Sequence, residues 1–182
     1  DVWTGRSFVM LTAGLIMLLF AKIQGHSLYV PREHWPDLMI AAVSNMAIFQ
    51  VAMTYGVELM SAGRTAVIVY TMPLWAALFA WPILGERLTI GRSTALLFGL
   101  AGLVCLISQD LGHLRNAPLG AFLTLVGAIS FGFGTVWMKR RQWASDLTVI
   151  GGWQLMIGVA PVAIVTCFME TKLDMFSRVS FD

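Results

Sequence analysis

The chain has 182 residues, 58% of them hydrophobic and only 12% charged, with a formal net charge of +2 and a mean hydropathy of +0.76. A soluble domain carries about 25% charged residues, and one of this size cannot hide so much apolar side chain from water. A charge this small, spread along the chain, also excludes a nucleic-acid-binding surface.

Uncharged runs set the elements. A helix needs about 20 mostly apolar residues to cross the hydrocarbon core of a bilayer. Six spans are expected: Ser7 to Ala21, reaching back toward Val2; Leu38 to Val57; Thr65 to Leu84; Ser93 to Ser108; Leu119 to Met138; and Leu147 to Met169. The shorter ones are accommodated by tilt or snorkelling. Their connections are short, so neighbouring spans form antiparallel hairpins. The longest connection, Lys22 to Asp37, holds Pro31 and Pro36 and reads as a surface loop. Gly91 to Thr94 lacks the lysine of a phosphate loop and reads as a helix start with Ser93 as its cap. Cys105 and Cys167 lie inside apolar runs and read as small packing residues. His26, His34 and His113 fall in loops without ligand spacing, so no metal site and no cofactor is expected. The chain opens at Asp1 with no basic n-region and no small-residue cleavage site, so no signal peptide is expected.

Lysines and arginines set the orientation. One set of connections carries Lys22, Arg32, Arg87, Arg92, Lys139, Arg140 and Arg141. Between two spans, the other keeps only Arg64 and Arg115. The first set is expected in the cytoplasm, with Lys139-Arg140-Arg141 as the strongest mark. Trp35, Trp143 and Trp153 near span ends suit an interfacial belt or a cavity wall.

The third span is the most specific stretch. It opens with Ser61-Ala62-Gly63-Arg64, holds Tyr70-Thr71-Met72-Pro73-Leu74-Trp75, and closes on Gly85-Glu86-Arg87-Leu88. In that order and spacing it resembles the fourth helix of EamA-type members of the drug/metabolite transporter superfamily. The resemblance implies an all-α, polytopic transmembrane helix bundle of ten helices in two inverted five-helix repeats. The six spans would then be helices two to seven, in a fragment or a shortened relative. Residues 1–108 would be most of the first repeat (helices two to five), and residues 109–182 the start of the second (helices six and seven). A weak likeness between Asp1 to Gly14 and Asp146 to Val159 fits such a repeat. The resemblance further implies a multi-pass protein of the plasma membrane (the inner membrane in a bacterium) that exports small metabolites, amino acid-like compounds or drugs by alternating access. The alternatives are a non-transporting membrane scaffold or assembly subunit, and a membrane-embedded enzyme. No catalytic constellation supports the last.

Polar side chains inside spans are costly unless they face helices or water. Asn45, Gln50, Thr54, Tyr70, Thr71 and Gln154 are of this kind, and each reads equally as an interhelical hydrogen-bonding group or a cavity wall. Pro73 takes the N–H partner from the carbonyl of Val69, between two aromatics. Repeated transporters place their site at the bilayer midplane, often at broken helices. The candidate substrate-binding residues are therefore Asn45, Tyr70, Pro73, Trp75 and Gln154. Glu86 reads as the partner of a nearby basic residue. Ala95 and Gly99, Ala128 and Gly132, and Ser130 and Gly134 are spaced four apart, for packing within the monomer or for a homodimer seam. The expected partners are a small-molecule substrate and the lipid bilayer.

Overall fold

The computed structural model describes residues 2–86, 89–91, 93–94, 96–99, 101–102 and 117–179. Among these, every regular element is helical. Helix α1 spans Val2–Ile23; α2, Trp35–Ala42; a π-helical turn, Val43–Ile48; α3, Phe49–Leu59; α4, Ala62–Val69; α5, Met72–Leu84; α6, Pro118–Arg140; and α7, Leu147–Val179. Five stretches are long and apolar enough to cross a membrane: Trp3–Ile23, Arg32–Leu59, Ala62–Leu84, Pro118–Arg140 and Leu147–Cys167. Half of the fourth expected span lies outside the described residues.

Three expectations about the ends of elements need correction. The connection after Lys22 is shorter than expected, because Pro36 sits in the first turn of α2, where its missing N–H costs nothing. It is also no mere surface loop, since Val30 and His34 are buried. Ser93 is not a cap: its N–H already bonds the Thr89 carbonyl at 2.9 Å. The last helix runs past Met169 to Val179, with no proline or glycine after Pro161 to stop it.

The stretches Trp3–Ile23, Arg32–Leu59 and Ala62–Leu84 run antiparallel in turn, and so do Pro118–Arg140 and Leu147–Cys167. At one end lie Lys22, Asp37, Glu86, Lys139 and Asp146; we call it the basic end. There Ala21, Val30, Leu38, Val149 and Ile150 make a buried apolar cluster, with Trp35, Trp143 and Trp153 packed against it. All three indole N–H groups donate to backbone carbonyls, of Val30, Met138 and Leu28 respectively. At the other end the Trp3 indole donates to Glu58 at 2.6 Å.

Helices α1 and α7, which hold the two stretches of weak likeness, lie side by side. Gly14 abuts Leu155 and Met156, and Gly152 abuts Leu18. The outer face of α1 exposes Phe8, Ile16, Leu19 and Ile23, as a lipid-facing helix should. Cys167 is exposed on α7 and not packed inside, and Cys105 lies outside the described residues.

Candidate functional site

Helix α6 is the centre of the bundle, and its small residues decide how closely its neighbours come. Gly132 touches the third span: a Cβ there would lie 2.8 Å from the Trp75 Cβ and 2.9 Å from the Ala76 nitrogen. Gly134 touches the second span, where a Cβ would meet the Asn45 carboxamide and come within 2.8 Å of the Ser44 Cβ. Ala128 is wholly buried, and the Ser130 hydroxyl donates to the Ser44 carbonyl at 3.0 Å. These four residues thus serve packing within the chain. Ala95 lies outside the described residues, and a methyl group added at Gly99 would meet no described atom within 4 Å.

The second span carries the π turn where α6 and α7 both reach it. A π turn widens the helix by one residue and disturbs the regular carbonyl partners. Ser130 supplies one such partner from α6. Asn45, buried in the turn, donates through Nδ2 to Gln154 Oε1 of α7 at 3.3 Å. Gln154 in turn donates to the Met138 sulfur of α6. Asn45 Oδ1 is buried without a hydrogen-bond partner among the described residues. The Thr54 hydroxyl serves its own helix, donating to the Gln50 backbone carbonyl at 2.7 Å.

The third span is broken between α4 and α5, at Tyr70 and Thr71. Pro73 falls in the first turn of α5, again where no N–H is needed. Thr71 holds the break together. Its hydroxyl donates to the Ile68 carbonyl at 2.7 Å and accepts from the Trp75 indole at 3.0 Å. At the other end of α5, Gly85 takes a left-handed conformation, φ 67°, and its N–H bonds the Trp81 carbonyl at 3.0 Å. Only glycine enters that region cheaply, and its turn stops the helix. Glu86 then meets Lys139 of α6, Oε1 to Nζ 2.6 Å.

Toward the basic end α5 and α6, still in contact through Phe79 and Phe133, line a cavity of about 960 Å³ together with Leu96 and Gly99 of the fourth span. Pro73, Leu74, Ala77, Ala80, Leu84 and Val136 make much of its wall apolar. Thr71, Thr135, Glu86, Lys139 and Arg141 add polar groups, most of them toward the mouth. Trp143 and Leu147 close one side. Arg141 is held by Asp37 Oδ2 at 2.9 Å and reaches the Glu33 carbonyl at 3.2 Å. Arg140 turns elsewhere, its guanidinium 4.9 Å from the centre of the Trp137 ring. The volume is that of a small-molecule pocket, apolar with a few convergent polar groups.

The five candidate residues therefore divide. Tyr70 and Pro73 line the cavity. Asn45 and Gln154 join each other in the seam behind it, linked to its wall through Met138. Trp75 bridges the two, its Cβ against Gly132 and its indole on Thr71. Sequence reasoning does not single out Ala76, Ala77 and Ala80. Their small size on one stretch of α5 is the signal that could have revealed the cavity. The partner of Glu86 is Lys139, 53 residues away. Among the described residues no group of acidic, histidine or cysteine side chains is placed to hold a metal.

The sequence profile of the EamA-like transporter family matches residues 1–108. The uncharacterized transporter YoaV of Bacillus subtilis is 27% identical over 157 residues, which cover 86% of this chain and 53% of that protein. The uncharacterized transporter YvbV of the same organism is 30% identical over 148 residues, 81% of this chain and 48% of that one. The uncharacterized inner membrane transporter YedA of Escherichia coli is 34% identical over 134 residues, 71% of this chain and 42% of that one. The chain spans about half the length of these curated relatives. No solved structure matches it. The chain belongs to the EamA-like transporter family, and it is a polytopic membrane protein.

Proposed function

We propose that this family member takes part in moving a small metabolite, amino acid-like compound or drug across the plasma membrane, as an exporter working by alternating access. The observation that carries the reading is the cavity of about 960 Å³ lined by α5, α6 and residues of the fourth span, walled by Tyr70 and Pro73 at a broken helix. Broken helices at membrane depth are tolerated where they are buried in protein or line a cavity. Residues 1–108 and 109–182 then belong to successive five-helix repeats, and α1 and α7 pack where corresponding helices of the two would meet. The basic end faces the cytoplasm, by the excess of lysine and arginine there.

Two experiments test this. Substrate-dependent flux in vesicles reconstituted with the full-length protein is the expected result for a panel of amino acids and organic dyes. Correctly inserted protein with no flux for any of them removes the transport reading in favour of a scaffold. For orientation, Ser145→Cys and Gly63→Cys are labelled on whole cells with an impermeant maleimide. The second site labels and the first does not; the reverse pattern inverts the orientation.

A further inference from the structure

We propose that the break between α4 and α5 is the polar end of the cavity and takes an N–H donor, an amide or amine nitrogen carried on an apolar body. The inference rests on the transport reading for its biological meaning, but the preference for a donor is measurable without transport.

The hydrogen bonds at the break leave acceptors over. A backbone carbonyl away from water is costly without a partner. Pro73 has no N–H, so the Val69 carbonyl lacks its regular helical donor. The regular donor for the Tyr70 carbonyl is Leu74. Leu74 instead donates to the Thr71 carbonyl at 2.9 Å, and Trp75 joins it there at 3.3 Å. Among the described residues nothing else donates to the Tyr70 carbonyl.

The Thr71 side chain adds to the surplus. A hydroxyl has one donor and two acceptor sites. Thr71 uses its donor on the Ile68 carbonyl at 2.7 Å and one acceptor site on the Trp75 indole at 3.0 Å. One acceptor site is left, on a buried residue that lines the cavity. Tyr70 and Pro73 line it too, so a donor missing from the break can come from a molecule in the cavity. Beyond the break, Leu74, Ala77, Ala80 and Leu84 form one apolar strip of α5 along the wall. A ligand lying on that strip sets hydrocarbon against α5 and its N–H at the break. A carboxylate in the same place would set oxygen against oxygen. Freed carbonyls at broken transporter helices also hold sodium, which makes that ion the competing occupant.

The test uses the full chain in detergent and two isomeric probes. N-Ethylbenzamide keeps one amide N–H; N,N-dimethylbenzamide has none and the same composition. The dissociation constant of each is read from the rise of the unfolding midpoint with probe concentration. N-Ethylbenzamide should bind on the order of tenfold tighter, the scale of one hydrogen bond to an otherwise unmatched group. Pro73→Ala offers the Val69 carbonyl an N–H and should bring the two constants within about twofold. Thr71→Val should do the same, and Thr71→Ser should keep the preference. The ratio of the two constants, unlike the midpoint itself, does not respond to a merely structural role. If Thr71→Val does not fold, Pro73→Ala decides alone. Equal constants in the parent, no rise with either probe, or a preference that survives these substitutions overturns the proposal. So does a rise with sodium chloride over choline chloride that Pro73→Ala abolishes, because the break then holds an ion. Each of these outcomes leaves the transport reading to the flux measurement. Absent flux with the preference intact removes transport and keeps the donor site.

Discussion

Helix α6 has two seams, and they are built in opposite ways. Against the second span it presents Gly134, Ser130 and Ala128, and nothing larger than hydrogen fits at Gly134. Against α5 it touches at Gly132 and again where Phe133 meets Phe79, and the cavity lies beside these contacts. The closed seam takes buried amides and a hydroxyl, all within reach of one another. The open seam takes proline, alanine and leucine, with charges toward its mouth. Polarity at membrane depth therefore does not by itself mark the cavity in this bundle. Polar groups that find partners can close a seam, and small apolar groups that find none can leave a space.

The largest effect is expected where the closed seam is overpacked. Gly134→Val pushes two methyl groups into the Asn45 carboxamide and the Ser44 Cβ, and neither helix backbone can withdraw while Ser130 and Gln154 hold the π turn. A loss of about 3 kcal/mol, the upper range for overpacking, should appear as a marked fall in the unfolding midpoint in detergent. Gly99→Val, where an added methyl group meets no described atom within 4 Å, is the control and should leave the midpoint nearly unchanged. Equal shifts for the two would mean that the two seams are not packed differently.

The amide pair comes next. Asn45→Leu or Gln154→Leu leaves the other amide buried with a lost partner, at about 1–3 kcal/mol each. The double variant removes both, so its loss should be clearly smaller than the sum of the two. Strict additivity would show that the 3.3 Å contact contributes nothing. Flux per inserted molecule in the same variants separates a seam role from a substrate role. An unchanged rate assigns both residues to the seam alone.

The open seam is expected to respond the other way round. Ala77→Leu fills cavity without displacing a packed neighbour, so stability should change by less than about 1 kcal/mol. Flux of a substrate that fits the cavity should fall by on the order of tenfold, the scale of a methylene-sized change in an apolar pocket. Lost stability with unchanged flux per molecule would place the substrate path elsewhere.

How legible these two seams were differs for a physical reason. The spans could be read because a helix in lipid must be apolar along its length, a local demand on each run of residues. The break at Tyr70 and Thr71 could be read because Pro73 carries its cause in its own ring. The π turn could not. Val43 to Ile48 holds no proline or glycine, and its widened turn is held by Ser130 and Gln154, 86 and 109 residues away from their partners. Glu86 was legible as half of an ion pair, but Lys139 was only one of several basic residues at that end until the helices were placed. The cavity was least legible, because a space is made by what several helices fail to fill. The four-residue spacing of Ser130 and Gly134 gave the closed seam away, though not which helix it would meet.

The smallest expected effect lies outside both seams, at the start of α7. Asp146 Oδ1 accepts the Thr148 N–H at 2.8 Å, the geometry of an N-terminal helix cap. The Thr148 hydroxyl and then its amide hold the Asp146 carboxyl below its ordinary value; His26, 3.9 Å away, adds a lesser pull. A carboxyl depressed in the folded protein binds protons more tightly when unfolded. Its contribution is therefore complete above the ordinary unfolded value, near pH 4, and is lost as the pH falls through the lower folded value. The unfolding midpoint of Asp146→Ala should lie slightly below that of the parent at neutral pH, and the gap should close on acidification below about pH 4. A gap that persists at low pH would mean that the side chain acts by packing and not by its charge. Because the cap lies beyond the seam that Gln154 enters, the coupling between Asn45 and Gln154 should be the same in both backgrounds. A change in that coupling would show that the start of α7 and the closed seam move as one unit.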